Sequence, residues 1–346
     1  MGSNSDRPRI SAALRSPEWG LLASILMVLG LIYLLDPTRS FFQEASRQSL
    51  LHQIGLYGVL AVGAAVVIIS GGIDLSVGAV VALSSVVAAR LMTSWLHDGA
   101  ANATPPSTFV IAASIGLTLL MGLGIGLFHA FLINKFSLPP FIATLATMSG
   151  LRSLASIISE NKTINVPFPE FRALGRTPEA TFWTFAAVAV VVSVMMGATV
   201  LGRHLFALGG NEAAARLSGL KIRKLKAFAY GLSGVLAALT GILFAGRSGQ
   251  ASSQLGISYE LFAITAAVVG GCSLAGGVGS IRGTVLGLVL LQILIRGTGI
   301  VVRKVDFTLF RTHVVIELNS TQVEGLVLGT VIILAVAINQ RFRPKL

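Results

Sequence analysis

From Gly20 to Asn339 the chain alternates between long, almost unbroken apolar runs and short segments that hold most of its charges. Stretches such as Phe185 to Val192 are apolar on every face, so they read neither as half-buried strands nor as barrel strands. A bilayer core about 30 Å thick is crossed by about 20 apolar residues in a helix, and backbone groups in lipid must pair within the protein. The pattern therefore predicts an all-α, polytopic membrane protein with about ten transmembrane helices. The first five are expected at roughly Gly20–Leu35, Ile54–Ser70, Val77–Met92, Phe109–Ile133 and Pro140–Ser159. The second five are expected at roughly Thr181–Gly202, Ala227–Gly246, Tyr259–Gly270, Gly283–Val302 and Val323–Asn339.

Composition agrees, with 54% apolar and 12% charged residues, where a soluble domain carries roughly a quarter charged. The net charge of +12 does not imply a nucleic-acid partner, because the basic residues are spread over loops between spans and lipid surrounds the rest. They do imply an orientation. The segment 203–226 holds Arg203, Arg216, Lys221, Arg223, Lys224 and Lys226 against one acid, Glu212, which marks it as a cytoplasmic loop. An even number of spans then places both termini in the cytoplasm, in keeping with Arg341, Arg343 and Lys345, although Arg303, Lys304 and Arg311 fall outside. The first run follows Arg7, Arg9 and Arg15 and ends without a small-residue cleavage pattern, so it reads as an uncleaved span of a single membrane domain, 1–346. The lone cysteine, Cys272, reads as a small packing residue, and no metal site or cofactor is expected.

Several interruptions carry the candidate chemistry. Gly71 and Gly72 break the second span, and Asp74 and Ser76 just before the third can cap its first amides. A similar pair, Gly270-Gly271, ends the eighth span, which reads either as an internal repeat or as a chance echo. Gly279, Gly283 and Gly287 recur every four residues, as in closely packed membrane helices. Within the basic segment, Asn211 can cap a short helix, Glu212 suits its positive end, and Gly219 permits a left-handed stop. About two turns are marginal alone in water, so the helix rests either on its own membrane domain or on a cytoplasmic partner. Thr144 and Thr147 share a face of the fifth span, where their hydroxyls either meet a solute or bond the preceding turn. His129, Arg152, Gln292 and Arg296 are read as pairing internally or snorkelling. No phosphate-binding loop ending in Gly-Lys-Ser or Gly-Lys-Thr, no His-Glu-x-x-His and no Gly-x-Ser-x-Gly occurs, so neither an ATPase nor a common hydrolase is encoded.

Taken in order, Gly71 to Gly78, Pro139 to Met148, Ala207 to Gly219, Tyr259-Glu260-Leu261 and Gly270 to Gly283 resemble the ribose-type simple-sugar permeases of ATP-binding cassette importers. Two positions depart from that family's pattern, His129-Ala130 in the fourth span and Phe262 after Tyr-Glu-Leu, which leaves the solute open. The resemblance implies a transport subunit rather than an enzyme, located in the bacterial inner membrane. It further implies a cytoplasmic ATPase, an external solute-binding protein and a second permease subunit, identical or not. Asn211, Glu212, Ala213, Ala214 and Gly219 would form the coupling helix, and Phe141, Thr144 and Thr147 are candidates for the translocation path. Nucleosides and branched-chain amino acids are the alternative solutes. An ion-coupled carrier is the alternative class, and it lacks convincing midplane carboxylates.

Overall fold

The computed structural model describes residues 17–95, 106–301, 304–309, 312–317, 325–331 and 333–334. The apolar runs form α1 (Pro17–Leu35), α2 (Glu44–Ile69), α3 (Val77–Arg90, prolonged by a wider turn over Leu91–Trp95), α4 (Thr108–Phe136) and α5 (Pro140–Ser159). A short amphipathic α6 (Pro169–Arg176) precedes α7 (Pro178–Ala198), α8 (Val200–Gly210), α9 (Glu212–Leu217) and α10 (Ile222–Ser248). They are followed by α11 (Tyr259–Val269) and α12 (Ile281–Val301).

Among the described residues, eight helices are long and apolar enough to cross a membrane, and α11 is an apolar helix of only 11 residues. Of the last expected span, Val323–Asn339, the described residues are 325–331 and 333–334, all helical, and the rest lie outside the described residues. The basic tail at Arg341, Arg343 and Lys345 and the leading Arg7, Arg9 and Arg15 also lie outside them.

Two boundaries differ from expectation. The second span begins at Glu44 rather than Ile54, because its polar first turns are helical as well. The sixth ends at Ala198 and restarts as α8, so the basic segment is mostly helix. Thr199 makes that break in extended backbone, its hydroxyl donating to Met195 O at 2.6 Å and accepting from Gly202 N at 3.2 Å.

The core lies on α2, α3 and α10. In α2, 89% of the most apolar window is buried, against 11% in α1, so α2 is a central helix and α1 a peripheral one. Small residues let α10 meet its neighbours backbone to backbone. A methyl group on Gly122 of α4 would stand 2.5 Å from Gly234 O, and one on Gly241 would strike Val81 O of α3. Where the hydrophobic effect no longer separates helix from solvent, such close contact supplies the association. Gly283 and Gly287 of α12 pack in the same way on Gly270 and Ala266, whereas Gly279 stands before the helix. Cys272 is buried beside Thr284, as a packing residue should be.

Among the described residues, strand is confined to two ribbons. Antiparallel β1 (Ile164–Asn165) and β2 (Gln250–Ala251) join the segment after α5 to the turn after α10. Antiparallel β3 (Lys304–Leu309) and β4 (Thr312–Glu317) form a hairpin after α12. Trp19 and Trp183, at the starts of α1 and α7, are exposed, as suits indoles at a headgroup layer.

Candidate functional site

The short helix α9 is built as its sequence suggests. Asn211 Oδ1 accepts from Ala214 N at 3.0 Å. At the other end, Gly219 N donates to Arg216 O and Leu220 N to Ala215 O, the paired bonds of a left-handed stop, with Gly219 at φ +80°. Glu212 pairs with Arg216 at 3.0 Å and with Lys226 of α10 at 2.8 Å. Partial burial raises the pKa of its carboxyl, but the hydrogen bonds and charges of Lys226 and Arg216 outweigh that and hold it below the ordinary glutamate value. Ala215 is buried against the core, while Ala213, Ala214 and Leu217 point away from it, Leu217 being 90% exposed. Three apolar side chains of α9 thus face away from the bundle.

The break after α2 is a buried polar knot. Gly71 takes φ +85°, and the chain runs without helix from Gly72 to Ser76. Asp74 Oδ1 accepts from Ser76 N at 3.0 Å and Ser76 Oγ at 2.7 Å, and its Oδ2 accepts from Ser233 Oγ of α10 at 2.9 Å. The expected caps are thus corrected in detail. Ser76 sits at the cap position, but its hydroxyl donates to Asp74 rather than accepting from a first-turn amide of α3, and Asp74 fixes the residue before the helix. Thr144 of α5 closes the knot, accepting from Leu75 N at 3.1 Å and donating to Pro140 O at 3.0 Å.

The two glycine breaks meet. Gly277 N donates to Ile69 O at 2.9 Å, which ties the segment after α11 to the end of α2. Gly209, two residues before the cap of α9, lies in the same junction: a methyl group there would strike Ile69 O and stand 2.6 Å from Gly277 N and 3.0 Å from Gly71 N. Gly276 closes the contact, since its own Cβ would fall 2.7 Å from Gly71 Cα and 2.6 Å from Gly209 O. The sequence shows Gly209-Gly210 plainly, but only the fold shows that Gly209 is where three backbones touch. Nothing in the sequence singles out Ser233.

Over residues 46–336 the chain matches the family described as branched-chain amino acid transport system / permease component. It belongs to that family. Ribose import permease protein RbsC of Escherichia coli K12 is 35% identical over 287 residues, 80% of this chain and 84% of the relative. Galactose/methyl galactoside import permease protein MglC of the same strain is 38% identical over 290 residues, 80% and 85% of the two chains. Autoinducer 2 import system permease protein LsrC of Yersinia enterocolitica is 32% identical over 279 residues, 79% and 73% of the two chains. No solved structure matches. The chain is a permease component of a transport system rather than an enzyme, a multi-pass helical protein of the bacterial inner membrane.

In this permease, the polar residues inside or beside the spans pair internally for the most part. His129 Nε2 lies 2.7 Å from Thr147 Oγ1, Arg152 donates to the carbonyls of Ser253, Leu255 and Gly256, and Arg296 Nε donates to Ser46 Oγ at 3.1 Å. Gln292 of α12 is the exception, buried with its Nε2 having no partner among the described residues. Of the path candidates, Thr144 is fully buried with its hydroxyl committed to the break, which removes it as a solute contact. Thr147 is half-buried with its hydroxyl engaged by His129, and Phe141 is exposed on α5.

Proposed function

We propose that this chain is the membrane-spanning permease subunit of an ATP-binding cassette importer for a small, sugar-like solute. It works with a cytoplasmic ATPase, an external solute-binding protein and a second permease subunit, and 1–346 form one membrane domain. Both termini and the 203–226 segment, with its coupling helix, face the cytoplasm, in line with the charge pattern of that segment. The relatives named for ribose and galactose import favour a sugar. The observation that carries the reading is the placement of α9: an exposed apolar face on one side, and on the other a glycine junction two residues away that touches both helix breaks. A docked ATPase that moves α9 therefore moves the ends of α2 and α11 as well, while the exposed face of α5 around Phe141 borders the path.

The test uses vesicles containing permease, ATPase and binding protein. Wild type takes up sugar only with ATP. Gly219→Val places a β-branched residue at φ +80° in otherwise open space, a local cost of roughly 1–3 kcal/mol that spares the bundle. It inserts and assembles normally yet loses solute-stimulated hydrolysis and uptake. Full coupled transport by Gly219→Val, or concentrative uptake by the permease alone on an ion gradient, would overturn the reading.

A further inference from the structure

A cavity of about 930 Å³ opens beside α9, bounded by the end of α4 and the starts of α5 and α10. Its wall is strongly basic. Arg216, Lys221, Arg223, Lys224 and Lys226 line it against Glu212 alone. Arg216 and Lys226 are engaged with Glu212, whereas Lys221, Arg223 and Lys224 are exposed and have no carboxylate within 4.0 Å among the described residues. Positive residues at a cytoplasmic boundary are ordinarily scattered along a loop. Here three uncompensated ones converge on one concave wall.

The rest of the lining suits a phosphate ester at a membrane boundary. Asn134, Ser137 and Tyr230 supply uncharged polar groups, and Ile133, Leu138 and Leu220 add apolar surface. The end of α4 and the starts of α5 and α10, three helices long and apolar enough to cross a membrane, border the cavity, which on the orientation proposed above puts it at the cytoplasmic headgroup layer. Lysine and arginine together hold phosphate through charge-assisted hydrogen bonds, and basic pockets between spans on this side take anionic headgroups.

We propose that this cavity is a binding site for a phosphate-bearing anion, either the headgroup of an anionic phospholipid or free phosphate, held by Lys221, Arg223 and Lys224. The cavity reaches Gly71 and Gly72, so the bound anion sits between α9 and the break after α2. It also stands beside the Glu212–Lys226 pair, with which it competes for cations. The site does not depend on which solute is carried.

The permease purified with its ATPase in uncharged detergent is stripped of lipid and offered phosphatidylglycerol, phosphatidylcholine or inorganic phosphate. Retained lipid is read by native mass spectrometry, and phosphate by equilibrium dialysis. We expect phosphatidylglycerol to be retained and phosphatidylcholine to wash out. The triple variant K221A/R223A/K224A, altered only at exposed side chains, lowers affinity on the order of 100-fold at about a factor of five per cation. R176A/R203A/R282A removes the same formal charge at exposed side chains outside the cavity lining and lowers it less than about 3-fold. Retention of inorganic phosphate with the same sensitivity and no phosphatidylglycerol assigns the site to free phosphate. Equal losses in both triple variants, or no preference of wild type for either anion, would overturn the proposal. Neither result bears on ATP-driven uptake, so this site and the transport reading fail separately.

Discussion

The break after α2 is held by side chains from other helices, and the break after α11 is held mainly by itself. In the first, one carboxylate gathers Ser76 and Ser233 while Thr144 takes the Leu75 amide, so α5 and α10 both anchor it. In the second, Ser273 N bonds Val278 O and Gly276 N bonds Ser273 O, within one loop. The first break has one glycine at positive φ, Gly71, and the second has four, Gly271, Gly276, Gly277 and Gly279. Two similar glycine pairs thus solve the problem of unpaired backbone in a membrane domain differently. One uses a buried polar knot, the other a tight glycine loop.

The comparison is broken most directly at Asp74. Asp74→Ala leaves the Ser76 amide and two hydroxyls buried without their acceptor, and at about 1 kcal/mol or more for each the loss is about 3 kcal/mol. Asp74→Asn keeps one acceptor and loses less. Unfolding in mixed detergent measures both. If Asp74→Ala stayed within about 1 kcal/mol of wild type, the carboxylate would not be what holds this break.

A smaller effect is expected where the breaks touch. Gly209→Ala drives a methyl group into Ile69 O and towards Gly277 N, so two backbones must shift, at roughly 1–3 kcal/mol. Gly210→Ala, one residue on, meets open space in a helical position and should be neutral or slightly stabilising. The same unfolding assay compares the two. Equal behaviour of the neighbours would dissolve the junction.

Much of this was legible beforehand, and the reason differs by element. Apolar runs set the spans, because lipid tolerates little else, and Asn211, Glu212 and Gly219 set α9, because caps are local chemistry. Thr199 was not legible, since a capping threonine inside an apolar run looks like any other membrane threonine. For Thr144 the bond to its own preceding turn, one of the two expected alternatives, is present at Pro140 O, but its second role at the break was not legible. A hydroxyl facing solute and one fastening a neighbouring break read the same until the partner, 69 residues away in sequence at Leu75, is seen. Ser233, 159 residues from Asp74, is hidden for the same reason.

The smallest effect sharpens the comparison furthest. Ser280 Oγ caps α12 by accepting from Gly283 N at 2.9 Å, and Ser280→Ala should lose about 1 kcal/mol, as an ordinary cap does. On its own this only shows that the second break relies on short local bonds. Combined with Asp74→Asn, it asks whether the two breaks respond to one another. Sites without shared partners add to within about 0.3–0.5 kcal/mol. Asp74 and Ser280 share none, but the segments that carry them are tied by Gly277 N to Ile69 O and packed on Gly209. We therefore expect the double variant to depart from additivity by more than about 0.5 kcal/mol, and the departure to vanish when the cycle is repeated in Gly209→Ala, whose methyl group pries the segments apart. Strict additivity in the wild-type background would mean that the breaks touch without exchanging strain, and that α9 moves one of them alone.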